Sequence, residues 1–98
     1  MSVPPYLSDC APDSRVYPSD WKWAYYRLHG GTTTGYHCPM CKKLFVGPGA
    51  SGYLELHGDH AKSWSDGGRT TWDNLQLLCG RCNLRKSAGS HSNQTGQV

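Results

Sequence analysis

Apolar residues occur in short runs along this chain, separated by glycine, proline and serine, and each run predicts one small element. Near the N-terminus, four apolar residues recur at helical spacing and so share one face: Trp21, Ala24, Tyr25 and Leu28. Ser19-Asp20 can cap this helix and Gly30-Gly31 can end it, so we expect a helix over residues 21–29 with that face packed on the domain. For three other residues of the helix, partial burial is favoured over contact with nucleic acid: Trp23, Tyr26 and Arg27.

Later runs predict short strands or turns and a second helix. Residues 42–46 suit a short turn or strand, and residues 53–60 alternate enough between apolar and polar to form a strand. Residues 75–78 are an apolar run, and residues 81–88 are typical of a short helix that ends at Gly89. The pattern therefore predicts a small α+β domain.

Length and composition limit the size of the core. The chain has 98 residues, 37% of them are hydrophobic, and 12 are glycine. We expect one domain with a small apolar core, and such a domain needs an additional stabilising element. Residues 1–18 are rich in proline, serine and aspartate and are expected to be a flexible N-terminal arm. Residues 19–88 would form the domain, and residues 89–98 a disordered tail.

Charge is distributed unevenly along the chain. The net charge is +3, but residues 21–98 hold nine of the ten Lys and Arg residues against four of the seven acidic residues. This balance permits a polyanionic partner without demanding one, because ordinary surface charge has the same appearance. Neither a signal peptide nor an apolar run long enough to cross a membrane is recognisable. We therefore expect an intracellular protein, in the cytoplasm of a bacterium or a host cell, with no membrane partner.

Four of the five cysteines form two Cys-x-x-Cys pairs, and these are the expected stabilising element. The candidate ligands are Cys38, Cys41, Cys79 and Cys82. Four thiolates complete a tetrahedral structural Zn²⁺ site and leave no open position for catalysis. A redox dithiol is the alternative, but that motif usually occurs once and beside a βαβ pattern, neither of which is found in this sequence. Cys10, in the N-terminal arm, is expected to be a free thiol.

Polar residues occur in a specific order between and after the cysteine pairs. They are Asp59-His60 at a predicted strand end, Gly67-Gly68 in a loop, Asn74-Leu75 before an apolar run, and Asn83 and Lys86 after the last cysteine. Over residues 38–86 this order resembles the HNH endonuclease family, which has a ββα-metal core. The Asp-His/Asn/Asn variant is similar to phage Holliday-junction endonucleases and to the HNH domain of RNA-guided CRISPR nucleases. The resemblance implies a ββα-metal fold that is stabilised by a four-cysteine zinc site, here with an N-terminal helix.

The resemblance also implies a role for each polar residue. His60 matches the general base that activates water, a task that imidazole performs near neutral pH. Asp59 and Asn83 match the ligands of one catalytic divalent ion, and an Asn in place of the usual final His makes Mg²⁺ or Mn²⁺ the expected ion. Asn74 matches the middle Asn, which braces the loop and orients the base. Strand alternation alone puts Asp59 and His60 on opposite faces, whereas in the family the strand ends there and both reach one site.

The resemblance finally implies an activity and a partner. Members of the family hydrolyse or nick DNA, leaving 3′-hydroxyl and 5′-phosphate ends, and small free-standing members are common in phages. Four basic residues are candidate nucleic-acid contacts, with solvated charge as an equal alternative: Arg69, Arg81, Arg85 and Lys86. We expect weak sequence preference, unless a partner protein or a dimer supplies it. The alternative function is a non-catalytic, zinc-stapled module that binds nucleic acid.

Overall fold

Two helices and two small antiparallel sheets make up the described part of the chain. The structure, a computed structural model, describes residues 3–91, with side chains described as far as Lys86. The helices are α1 (Ser19–Leu28) and α2 (Gly80–His91), and the strands are β1 (Tyr36–His37), β2 (Leu44–Phe45), β3 (Leu56–His60) and β4 (Leu75–Cys79). Short 3₁₀ turns lie at Tyr53–Glu55, Trp64–Asp66 and Trp72–Asn74. The predicted α+β class is confirmed.

The β3–β4 hairpin and the helix that follows it form the centre of the domain. The two strands pair antiparallel, in a register that runs from Leu56 opposite Cys79 to His60 opposite Leu75. α2 begins immediately after β4 and packs on both strands. This ββα unit brings the end of β3 close to α2, where the Lys86 ammonium donates to the carbonyl of His60 at 2.6 Å.

Aromatic rings fill much of the core. The buried aromatic residues are Tyr17, Trp21, Tyr26, Tyr36, Phe45 and Trp72. Tyr36 of β1 donates its hydroxyl to the carbonyl of Leu77 at 2.8 Å and accepts from the Leu77 N–H at 3.0 Å, which joins the two sheets. Trp21 of α1 packs edge-on against Trp72, with ring centroids 5.9 Å apart. Because each ring buries a large area, a few of them suffice for a chain poor in aliphatic residues.

The buried face of α1 differs from the predicted one. Trp21 and Ala24 are buried as expected, but Tyr26 is fully buried and Leu28 is 58% exposed. Tyr26 lies against Gly31, where an added Cβ would come within 2.4 Å of its ring, and it donates its hydroxyl to the carbonyl of Gly47 at 2.8 Å. Partial burial was expected for Tyr26, and its burial is complete because glycine-containing segments pack beside its ring. The expected burial of Leu28 and partial burial of Arg27 were wrong, since both residues are exposed.

Residues 3–18 contain no helix or strand, yet they are held against the domain. Ser8 donates its N–H and its hydroxyl to the Asp20 carboxylate, at 2.8 and 2.9 Å, and accepts from Trp21 Nε1 at 2.7 Å. Tyr17 donates its hydroxyl to the carbonyl of Thr71 at 2.9 Å. The prediction of a flexible arm did not include these contacts. No side chain caps α1, although Ser19-Asp20 was expected to do so, and the Asp20 carboxylate accepts from Ser8 instead.

Two element boundaries also differ from the predicted ones. Residues Tyr53–Glu55 form a 3₁₀ turn, so β3 begins later than expected. α2 continues through Gly89 to His91, because one glycine lowers helix stability by only about 1 kcal/mol relative to alanine and need not end a helix. The rest of the predicted tail, residues 92–98, lies outside the described residues. Within residues 3–91, neither helix has the length and apolar character that crossing a membrane requires.

Candidate active site

The four cysteines predicted as zinc ligands come together beside the first turn of α2. Cys38 and Cys41 lie between β1 and β2, Cys79 ends β4, and Cys82 lies in α2. Their sulfur atoms all lie within 4.8 Å of one another, and three of the four side chains are buried. Four clustered thiols are the donor set that Zn²⁺ prefers in closed, structural sites. The predicted cluster is confirmed, and it fits a structural zinc ion.

The surroundings of the cluster favour a bound cation. Burial opposes ionisation of Cys38, but the backbone N–H groups of Cys41, Cys79 and Met40 point at its sulfur and together lower its pKa to about 6. Burial raises the pKa of Cys82, and so do the hydrogen bonds that its thiol donates to the neighbouring sulfurs. Four sulfurs this close cannot all ionise without a counter-charge, and a divalent cation supplies it.

A cleft of about 280 Å³ lies at the end of β3. Its polar and aromatic lining includes Arg15, Tyr17, Lys22, Asp59, His60 and Asn83. Asp59 and His60 therefore line the same cleft, although strand alternation alone predicted opposite faces. His60 is the last residue of β3, so regular alternation ends with it. Asn83 comes from α2, which packs across the strand ends.

The His60 ring is held on three sides. Its Nε2 lies 2.7 Å from the hydroxyl oxygen of Thr70, a fully buried residue. The hydroxyl of Thr70 donates to the carbonyl of Ser14. The Tyr17 ring packs on the imidazole with centroids 4.8 Å apart, and the Trp64 ring meets it edge-on at 5.8 Å. This packing fixes both the position of the ring and the direction of Nε2.

The electrostatic surroundings keep His60 neutral. Burial lowers its pKa below the ordinary value, because a charged imidazolium loses its hydration. The positive charges of Lys86, Arg15 and Arg69 lower the pKa further, while the Asp59 carboxylate acts in the opposite direction. A neutral imidazole at neutral pH is the form that can accept a proton.

The Asp59 carboxylate is engaged through one of its two oxygens. Lys86 Nζ lies 2.6 Å from Asp59 Oδ2, and Gln76 Nε2 donates to the same oxygen at 2.8 Å. Lys86 also donates to the carbonyl of His60, so it links α2 to the end of β3. The sequence left a nucleic-acid contact and a solvated charge as equal alternatives for Lys86, whereas the structure places its ammonium on the Asp59 carboxylate.

Asn74 braces the loop between β3 and β4. Its side-chain oxygen accepts from the Lys62 N–H at 2.8 Å, and its side-chain nitrogen donates to the carbonyls of Lys62 and Arg69, at 3.1 and 2.9 Å. Gly68 packs so closely that an added Cβ would lie 1.8 Å from the Lys62 carbonyl oxygen. The Asn74 side chain therefore joins the two ends of the loop. None of its described hydrogen bonds is to His60.

The other predicted basic contacts lie in two places. The Arg69 guanidinium stacks on the Trp64 ring, 4.2 Å from its centroid, and Trp64 in turn packs against His60. Arg81 and Arg85 line a different cleft, beside the zinc cysteines. The structure therefore brings Arg69 to the side of His60 and does not bring Arg81 or Arg85 there.

Sequence reasoning missed several residues at or beside the cleft: Arg15, Tyr17, Lys22 and Thr70. One signal was available, because a glycine inside a strand often marks a close approach. At Gly58, an added Cβ would lie 2.8 Å from Cδ of Lys22, whose stem crosses β3 there. Arg15, Tyr17 and Thr70 belong to no motif, and only the folded chain brings them to His60.

Comparison with known proteins agrees with the order of the motif. A family model described as HNH endonuclease matches residues 38–89, slightly more than half of the chain. The matched segment includes both cysteine pairs and the residues Asp59, His60, Asn74 and Asn83. No curated protein and no solved structure matches the chain.

Proposed function

Because the chain belongs to the HNH endonuclease family, we propose that it is a metal-dependent endonuclease that hydrolyses or nicks DNA. The observation that carries the proposal is the position of His60. It lines a cleft with Asp59 and Asn83, and one of its ring nitrogens is fixed by Thr70. An imidazole so placed can take a proton from water, beside two oxygen donors that suit a divalent ion.

The hydrogen bonds of Thr70 assign the proton on His60. A hydroxyl has one proton, and the carbonyl of Ser14 can only accept. Since the Thr70 hydroxyl donates to Ser14, it must accept from His60, so Nε2 of the neutral ring carries the proton. Nδ1 then keeps the lone pair, and we assign the role of general base to that atom.

Asp59 and Asn83 would hold the divalent ion. Carboxylate and amide oxygens suit Mg²⁺ and Mn²⁺, and water and substrate phosphate usually complete such sites. Among the described residues, the four cysteines form the one cluster of three or more His, Cys, Asp or Glu, so the cleft offers few protein ligands. Both hydrogen bonds to the Asp59 side chain fall on Oδ2, which leaves Oδ1 for the ion. When bound, the ion stabilises charge on the scissile phosphate and on the departing 3′ oxygen.

The residues around the cleft account for the other steps. Nδ1 of His60 takes a proton from a water molecule while the water oxygen attacks phosphorus. The bond from phosphorus to the 3′ oxygen breaks, and that oxygen takes a proton from solvent, leaving 3′-hydroxyl and 5′-phosphate ends. Arg69, held beside His60 by Trp64, adds positive charge near the phosphate. Asn74 holds the loop that carries Arg69.

One observation favours a second function, which is binding without cleavage. The Lys86 ammonium already balances the Asp59 carboxylate that would hold the metal. If this ion pair persists on DNA, it neutralises much of the negative charge that Oδ1 would offer to a divalent ion. A protein that binds no ion there would be a zinc-containing module that binds nucleic acid without cutting it. The two functions differ in whether added Mg²⁺ produces cleavage.

The experiment that separates them uses supercoiled plasmid. We expect the zinc-loaded protein to convert the plasmid to nicked or linear DNA with Mg²⁺ or Mn²⁺, and to leave it intact after dialysis into buffer to which no divalent ion is added. Retarded plasmid that stays intact with every divalent ion tested would support the binding module. Cleavage without an added divalent ion would contradict the metal dependence.

The proposal extends to partners and location. The family segment takes up about half of the chain, so little surface remains for reading bases, and we propose weak sequence preference that a partner protein would sharpen. Four thiols able to bind zinc suit a reducing compartment, which supports an intracellular location.

A further inference from the structure

The cleft at His60 extends to two cations that precede the segment matched by the family. Arg15 lies before α1, and Lys22 lies in the first turns of α1. Both line the cleft together with Asp59 and His60. We propose that Arg15 and Lys22 form a phosphate-binding site for the DNA backbone next to the scissile phosphate, an inference that rests on the proposed function.

Arg15 is held by an aromatic ring. Its guanidinium carbon lies 4.5 Å from the centroid of Trp64, the same ring on which Arg69 stacks at 4.2 Å. A stacked guanidinium keeps its N–H edge available, and that edge matches the geometry of phosphate oxygens. Trp64 therefore holds two arginines beside the His60 ring, one from the N-terminal segment and one from the loop after β3.

Lys22 reaches the cleft across β3. Its aliphatic stem passes over Gly58, where an added Cβ would lie 2.8 Å from Cδ and 3.2 Å from Cγ. Gly58 directly precedes Asp59, so the stem lies beside the proposed site, and Lys22 is one of the residues that line the cleft. Lys22 is half-buried, and burial of the stem restricts the side chain while the charged end stays in contact with water.

Neither Arg15 nor Lys22 forms an ion pair with another residue that the structure describes. Among the described residues, one ion pair lies within bonding distance, and it joins Lys86 to Asp59. Arg15 and Lys22 therefore present two positive charges without a carboxylate partner at the rim of the cleft. A polyanion relieves the repulsion between such charges and gains counterion release, and a DNA strand has one phosphate per nucleotide to place there.

The test measures binding separately from cleavage. The protein carries His60→Ala and receives no divalent ion, and the probe is a fluorescein-labelled DNA duplex followed by anisotropy over a range of salt concentrations. Arg15→Gln and Lys22→Gln are each expected to weaken binding several-fold for any sequence, and to lower the slope of log affinity against log salt by about 1. Arg15→Lys keeps the charge and is expected to keep the slope.

Arg27→Gln provides the matched control. Arg27 is an exposed residue of α1 that does not line the cleft. Arg27→Gln therefore removes one positive charge, as the two test substitutions do, but from outside the cleft. Affinities and slopes of Arg15→Gln and Lys22→Gln that equal those of Arg27→Gln would overturn the site, whether or not the wild type cleaves DNA. Weakened binding by the two cleft variants supports it even if the wild type proves to be a non-cleaving module. Zinc content and circular dichroism check that the variants are folded.

Discussion

Replacing Thr70 by valine tests how the general base is positioned. Valine keeps the shape of threonine but removes the hydroxyl that accepts from His60 Nε2 at 2.7 Å and donates to Ser14. Two partly or fully buried polar groups then lack a partner, and each such group costs about 1–3 kcal/mol. If roughly 1.4–2.7 kcal/mol of this cost raises the free energy of the transition state, because His60 is less well positioned, the cleavage rate falls about 10- to 100-fold.

Single-turnover nicking of supercoiled plasmid with Mg²⁺ measures that rate as a function of protein concentration. Thr70 does not line the cleft, so Thr70→Val is expected to lower the rate at saturation and leave the half-saturating concentration unchanged. Thr70→Ser restores the hydroxyl and is expected to recover most of the rate. A zinc-loaded Thr70→Val protein that cleaves at the wild-type rate would refute this account of His60.

Three further predictions concern the zinc site, the loop and the ion pair. Cys79→Ser removes one sulfur from the four-cysteine cluster, so we expect loss of bound zinc and of the folded circular-dichroism spectrum, and a folded zinc-free protein would contradict this. Gly68→Ala forces a methyl group against the Lys62 carbonyl and is expected to lower the free energy of unfolding in urea by about 1–3 kcal/mol, which an unchanged midpoint would disprove. Lys86→Met removes the ammonium that competes for Asp59, so cleavage should reach half-maximum at a lower Mg²⁺ concentration, and a higher one would show that Lys86 assists the ion.

Features fixed by short spacings could be predicted from the sequence. Each Cys-x-x-Cys pair places two sulfurs on one tight turn, so the cluster needs only the two turns to meet, as they do. The β3–β4 hairpin and α2 follow from local apolar runs beside Asp59-His60 and Asn83. These elements all lie within the segment that matches the family, where residues near in sequence make most of the site.

Features that depend on distant segments could not be predicted. Thr70 bonds to Ser14, which is 56 positions away, and Tyr17 bonds to Thr71, which is 54 positions away. The N-terminal segment is polar and rich in proline, so its composition resembles that of an unattached arm. The burial of Tyr26 likewise depends on Gly31 and a loop carbonyl rather than on the period of α1. Local pattern therefore predicted the residues that we propose to be catalytic, but not the residues that hold them in place.

The most direct test of the central claim is the single-turnover cleavage rate of His60→Ala compared with that of the wild type. A general base contributes about 100- to 10,000-fold, so we expect a loss of at least about 100-fold. His60 lies outside the four-cysteine cluster, so zinc content is expected to stay the same. A zinc-loaded His60→Ala protein that cleaves plasmid at the wild-type rate would contradict the assignment of His60 as the base.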